Sequence, residues 1–174
     1  MQQATGDLFA LADTHNAWTV ITTNGAVQNN GRLIMGAGVA ATAARHHPHL
    51  PAALGALVTQ HGNVPVADDQ SRTMTWPTKP AVHDLDGRTH AGWMCAARVR
   101  DPRCVRGVAR LVWANAPRVV ALADVLGLDG PIYLPAPGCG LGGLKWDDVR
   151  PHLAGVLDDR FVVVTLPEAR PTAR

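Results

Sequence analysis

Two kinds of apolar pattern divide this chain. Short, nearly continuous apolar runs occur at residues 17–23, 131–134 and 161–166. Runs this short and this rich in Val and Ile suit strands covered on both faces. Residues 72–76 alternate polar and apolar positions and predict a further strand. Residues 1–5 read as a short first strand or a loose end. Between these runs the apolar spacing turns helical, at residues 39–46, 51–61 and 147–157. Asp101-Pro102 gives a helix-start signal, followed by a stripe of Cys104, Val108, Leu111 and Val112. Pro117 then restarts a helical pattern through Val119, Val120, Leu122, Ala123 and Leu126 up to Gly127, so two helices are expected over this region. Trp113 falls with the packing residues of this region, and Trp93 takes no role. Strands alternating with helices predict an α/β fold around a central mixed, largely parallel sheet.

Composition narrows the class. A chain of 174 residues suits one domain with one substantial core. With 47% hydrophobic and 17% charged residues, disorder is excluded. A net charge of +2, from basic residues that are scattered, does not by itself mark a nucleic-acid surface. Cys95, Cys104 and Cys139 show no metal-ligand spacing and no disulfide framework, and fit a reducing cytoplasm. No apolar stretch approaches a membrane span and no secretory pattern opens the chain, so a cytoplasmic protein without a membrane partner is expected.

The candidate chemistry lies in two glycine loops. Pro137-Gly138-Cys139-Gly140-Leu141-Gly142-Gly143-Leu144 follows the apolar run at 131–134 and precedes the helical pattern at 147–157. Strand, glycine loop and helix start together supply converging backbone N–H groups and a positive dipole end for an anion. A tight turn that uses glycine for geometry alone is the competing reading. Met35-Gly36-Ala37-Gly38-Val39 repeats the logic after the strand at 17–23 and before the helix at 39–46. Two such units predict two loops meeting on one ligand, and a diphosphate with an organic group at each end fits such a site.

Four segments in order carry a family resemblance: Gly6-Asp7-Leu8-Phe9-Ala10, Met35 to Ala40, Trp76-Pro77-Thr78-Lys79, and Gly138 through Trp146. The chain resembles the macrodomains, which bind ADP-ribose. It is most similar to the branch of terminal ADP-ribose glycohydrolases and DNA ADP-ribosyl glycohydrolase antitoxins. The resemblance implies a three-layer α/β/α macrodomain over residues 1–166, with 167–174 as a tail. It implies an ADP-ribosyl hydrolase that removes mono-ADP-ribose from protein or nucleic acid by cleavage at C1″. A non-catalytic ADP-ribose reader, an ADP-ribose 1″-phosphate phosphatase and a plain nucleotide-binding protein stay open beside it. No cofactor or metal is implied, the ligand being ADP-ribose itself. Pairing with an ADP-ribosyltransferase and a monomeric state are expected.

The resemblance also assigns residues. Asp7, with Leu8 beside it, takes the adenine amino group, against a helix cap as the alternative. Thr23 and Asn24 end a strand where the distal ribose would lie. Met35, Gly36, Ala37, Gly38 and Val39 form the first ligand loop. Thr78 and Lys79 stand at the C1″ end, and Pro137 through Leu144 form the phosphate loop. Lys79 is the expected catalytic residue, by attack on the opened sugar aldehyde or by polarising the ribose, with Asn24 and a positioned water. A solvated loop lysine is the alternative. The chain departs from the pattern twice. Asn24-Gly25-Ala26-Val27 stands where many macrodomains have Asn-Ala-Ala-Asn, leaving Asn29 or Asn30 to substitute or to form an ordinary turn. Gly142 stands where the terminal glycohydrolases carry an aspartate, and the antitoxins also have glycine there. Residues 81–92 read as an inserted loop whose His83, Asp84, Asp86 and His90 could join acid–base work or form a plain lid. His46, His47 and His49 are read as structural rather than as a metal site, beside Arg45 at a basic helix end.

Overall fold

The computed structural model describes residues 1–79 and 102–167. Its elements run β1 (Gln2–Thr5), α1 (Leu8–His15), β2 (Trp18–Asn24), α2 (Gly38–His46), α3 (Leu50–His61), β3 (Ala67–Asp68), β4 (Thr73–Lys79), α4 (Pro102–Val125), β5 (Ile132–Pro135), α5 (Trp146–Ala154) and β6 (Phe161–Thr165). The strands form one sheet in the order β1-β6-β5-β2-β4-β3. Every pairing is parallel except the short β3 against β4. The expected mixed, largely parallel α/β architecture is what the chain adopts.

Both faces of the sheet are covered, which accounts for the continuous apolar runs. Ile21, Tyr133, Val162 and Val164 face α1, α2 and α3 and join a core with Phe9, Leu50 and Leu54. Their neighbours along the same strands, Val20, Ile132, Leu134, Phe161 and Val163, face the other way. There they meet Met74 and Trp76 of β4 and the stripes of α4 and α5.

One expectation fails in this second layer. Residues 102–125 form a single helix with Pro117 inside it. A proline within a helix costs about 3 kcal/mol through its missing N–H and a steric clash. Against that stand Val108, Val112, Ala116, Val119 and Ala123, each at most 4% exposed and all on one face. Burying a valine contributes about 1.5–3 kcal/mol, so the continuous stripe outweighs the local break. Asp101, the expected cap, lies outside the described residues, as does the 81–92 insertion.

Two of the clustered histidines make side-chain contacts within the fold. His46 stacks on Phe9 with ring centroids 4.8 Å apart. Among the described residues no cluster of three His, Cys, Asp or Glu side chains could hold a metal. Burial first, then the charges of His49 and His46, hold His47 below the usual histidine range. His49, just before α3, meets Asp68 Oδ2 at 3.2 Å, and Ser71 donates to the same oxygen from Oγ at 2.5 Å and from its N–H at 2.9 Å. Burial alone would raise the Asp68 carboxyl, but the Ser71 and His49 bonds more than offset it and hold it below the ordinary carboxylate range. A lowered carboxyl contributes stability above its unfolded pKa, and loses that contribution as pH falls through its folded value. Asp68→Ala is therefore expected to destabilise the protein by about 1–3 kcal/mol at neutral pH. The gap to wild type should close as denaturation is followed into acid below the normal carboxylate range. A gap independent of pH would refute this account.

Candidate functional site

The carboxyl ends of β2, β4, β5 and β6 point to the same edge of the molecule, where ligands of open α/β sheets gather. A cleft of about 1050 Å³ lies there.

Its first wall follows β2. Asn24 closes that strand, and its side chain staples the segment beyond it: Oδ1 accepts from the Ala26 N–H at 2.9 Å, and Nδ2 donates to the Ile34 carbonyl at 3.0 Å. Between these points the chain turns back on itself, with Val27 bridging Leu33. Asn29 and Asn30 sit exposed at the tip, where Asn30 Oδ1 accepts from the Arg32 N–H. They make an ordinary turn and do not line the cleft. The chain then passes through Gly36 and Ala37 into α2 at Gly38, whose φ of +59° suits glycine. Ala37 occupies the cap position without a side-chain bond to the helix. The first N–H groups of α2 therefore have no side-chain cap, as an anion-binding helix start requires. The cleft face of α2 continues through Ala41, Thr42 and Arg45.

The second wall follows β5. Gly138, with φ +75°, turns the chain sharply. Its carbonyl accepts from the Leu144 N–H at 3.0 Å, and the Gly143 N–H donates to the Gly140 carbonyl at 3.1 Å. Gly138, Gly140, Leu141 and Gly142 line the cleft. Cys139 and Leu144 turn the other way and pack on the α4 side of the sheet. Pro137 is buried beneath the loop, with its carbonyl 3.6 Å from Cys139 Sγ. Burial first, then the Asp148 charge, pushes the Cys139 thiol up to about 11, so it stays protonated at neutral pH. The first turn of α5 does not reach the lining, so the loop itself rather than the helix start borders the cleft here. Asp147 and Asp148 are exposed there, and Trp146 Nε1 donates to Gln3 Oε1 at 3.1 Å.

The two loops meet. A Cβ added to Gly38 would lie 3.9 Å from Leu141 Cδ1. At one end of the cleft stand Asp7, Leu8, Phe9 and Val164; Thr23, Asn24, Thr78 and Lys79 also line it. Asp7 Oδ1 accepts from the Phe9 and Ala10 N–H groups at 3.0 and 2.9 Å, so the carboxylate caps α1 and lines the cleft at once. Met35, Pro137, Cys139, Gly143 and Leu144 do not line it; Met35 is buried in the core under α2. Arg45 was missed by reading the sequence, although its spacing of three from Thr42 and seven from Gly38 puts it on the same helix face. Its Nη2 donates to Thr42 Oγ1 at 2.9 Å.

No family model and no curated protein matches the chain. Solved structures do. The macrodomain of Thermus aquaticus DarG is 21% identical, with 95% of this chain and 97% of that one aligned at a TM-score of 0.59. The macrodomain of Mycobacterium tuberculosis DarG is 18% identical, with 97% of each chain aligned at 0.60. Thermosipho africanus DarTG, solved in complex with ADP-ribose, is 16% identical over 99% of this chain and 43% of that one, at 0.61. The backbone likeness to these proteins, over almost the whole of this chain, shows that it has the macrodomain fold.

Proposed function

We propose that the cleft binds ADP-ribose and that the protein is an ADP-ribosyl hydrolase, releasing mono-ADP-ribose from protein or nucleic acid by cleavage at C1″. The observation that carries this reading is the convergence of two glycine loops on one cleft that also holds Lys79. The uncapped N–H groups of α2 and the turn amides around Gly140 suit a diphosphate between them. Asp7 suits the adenine end, and Lys79 with Asn24 the distal ribose. Hydrolysis breaks the bond from C1″ to the acceptor, gives the water oxygen to C1″ and returns a proton to the acceptor. An ammonium at the distal ribose favours that step by stabilising negative charge as it develops on oxygen. Binding energy from the remote adenosine diphosphate holds the ribose in place for it. The resemblance to antitoxins, and the ADP-ribose complex of the Thermosipho protein, support a transferase counterpart whose modification is reversed.

Titration with ADP-ribose is expected to give micromolar affinity, about −8 kcal/mol. ADP-ribosylated DNA and protein modified on acidic side chains are the substrates to test. Lys79→Ala should slow release of ADP-ribose by about a hundredfold or more, with affinity for free ADP-ribose little changed. If neither substrate releases ADP-ribose, and ADP-ribose still binds, the protein is a reader. The absence of a side chain at Gly142 favours that second reading.

A further inference from the structure

We propose that Asn63, which does not line the cleft, is a positioning residue for Lys79; this rests on the hydrolase reading above. Asn63 follows the end of α3 and reaches across to the last residue of β4. Its Nδ2 donates to the Lys79 carbonyl at 3.0 Å. A carbonyl partner fixes which end of the amide is nitrogen, so Oδ1 points the other way. That oxygen is buried and has no hydrogen-bond partner among the described residues. A buried acceptor without a donor is destabilising, so Asn63 is a poor choice for packing alone. Gly25 completes the arrangement. A Cβ there would fall 2.5 Å from Asn63 Cγ and 2.7 Å from Oδ1. Gly25 does not have a positive φ, so it is the close approach of Asn63 that requires glycine.

The contact falls where the sheet is irregular. β2 and β4 pair in step from Thr19 with Thr73 to Thr23 with Pro77, then shift so that Asn24 pairs with Lys79. The shift skips Thr78, so that Lys79 rather than Thr78 stands level with Asn24. Asn63 grips the peptide that leaves this irregularity, and Gly25 gives it room.

The test compares Asn63→Ala, Gly25→Ala, Lys79→Ala and the Asn63→Ala/Lys79→Ala double variant, each checked by thermal melting. Asn63→Ala should slow single-turnover release of ADP-ribose about tenfold to a hundredfold, the loss expected from a misplaced reacting group. The Kd for ADP-ribose should stay within about threefold, a small change on the affinity scale. Gly25→Ala should repeat both results. In the Lys79→Ala background Asn63→Ala should cost nothing further, the signature of two residues acting as one unit. An equal loss in that background, or a parallel loss of affinity, overturns the proposal. Lys79 and Lys145 are the lysines of the chain, so NMR of the protein with ¹³C-methylated amines reads Lys79 directly. The Lys79 resonance and its titration midpoint should move in Asn63→Ala while Lys145 stays in place. If wild type releases no ADP-ribose, the hydrolase reading falls, and this NMR result alone decides the positioning role: an unmoved Lys79 signal refutes it.

Discussion

Gly55→Ala should lower the melting temperature, although Gly55 sits inside a helix where alanine is intrinsically better by about 1 kcal/mol. Gly55 is a buried residue of α3. A Cβ there would lie 1.9 Å from the Gly31 carbonyl oxygen and 2.7 Å from the Leu33 nitrogen. Both are backbone atoms of the segment stapled by Asn24, and the Leu33 N–H also donates to the Pro51 carbonyl of α3 at 2.7 Å. The helix and the segment therefore touch main chain to main chain, and neither can yield by rotating a side chain. Overpacking of this kind costs about 1–3 kcal/mol when side chains alone must move, and more when backbone must. The net loss is expected at about 2 kcal/mol or more, which for a chain of this size lowers Tm by about 4–8 °C. The displaced segment leads to Gly36 and Gly38, so ADP-ribose affinity should fall with it. A rise in Tm by calorimetry would show that α3 and this segment are not in contact.

Gly142→Asp should impair the protein rather than supply the carboxylate that the terminal glycohydrolases carry at the matching position. A Cβ on Gly142 would lie 2.5 Å from the Gly138 carbonyl oxygen and 3.0 Å from its carbon. That carbonyl is already held by the Leu144 N–H. Gly138 in turn cannot retreat, since its own Cβ position is 2.7 Å from Leu144 Cδ1 and 3.0 Å from Val108 Cγ1. The loop must open to admit any side chain, and opening scatters the amides that would grip a diphosphate. The expected result is a loss of ADP-ribose affinity of about tenfold or more, equivalent to about 1.4 kcal/mol, with no gain in hydrolysis. Gly142→Ala should lose nearly as much, which separates the steric effect from the added charge. Faster hydrolysis by Gly142→Asp at unchanged affinity would refute the packing described.

Strands β2, β4, β5 and β6 and most helices were legible because burial on both faces of the sheet leaves a direct trace in residue type, as at Phe161–Thr165. The two-residue β3 was too short to leave one, and β1 read equally as a loose end. Pro117 misled for a physical reason: a local break in hydrogen bonding was set against a stripe that only tertiary packing makes decisive. The two loops announced themselves through glycine. Which of their residues face the cleft did not, because Cys139, Leu144 and Met35 are turned inward by core contacts from distant elements. Asn63 carried no local signal at all, since what marks it is a contact with Lys79 across sixteen positions of sequence. The expected tail lies outside the described residues beyond Pro167, and the acid–base candidates of the 81–92 insertion lie outside them entirely.

The cleft walls are built largely from peptide groups, glycines and other small residues. Every amino acid but proline brings the same amide hydrogen, so such a wall constrains the path of the chain far more than the letters written along it. Substitutions can then accumulate almost everywhere while the hollow keeps its outline. This protein and the Thermus, Mycobacterium and Thermosipho proteins trace similar backbones with about a fifth of their residues or fewer in common. Their kinship of shape is plain in three dimensions and nearly silent in one.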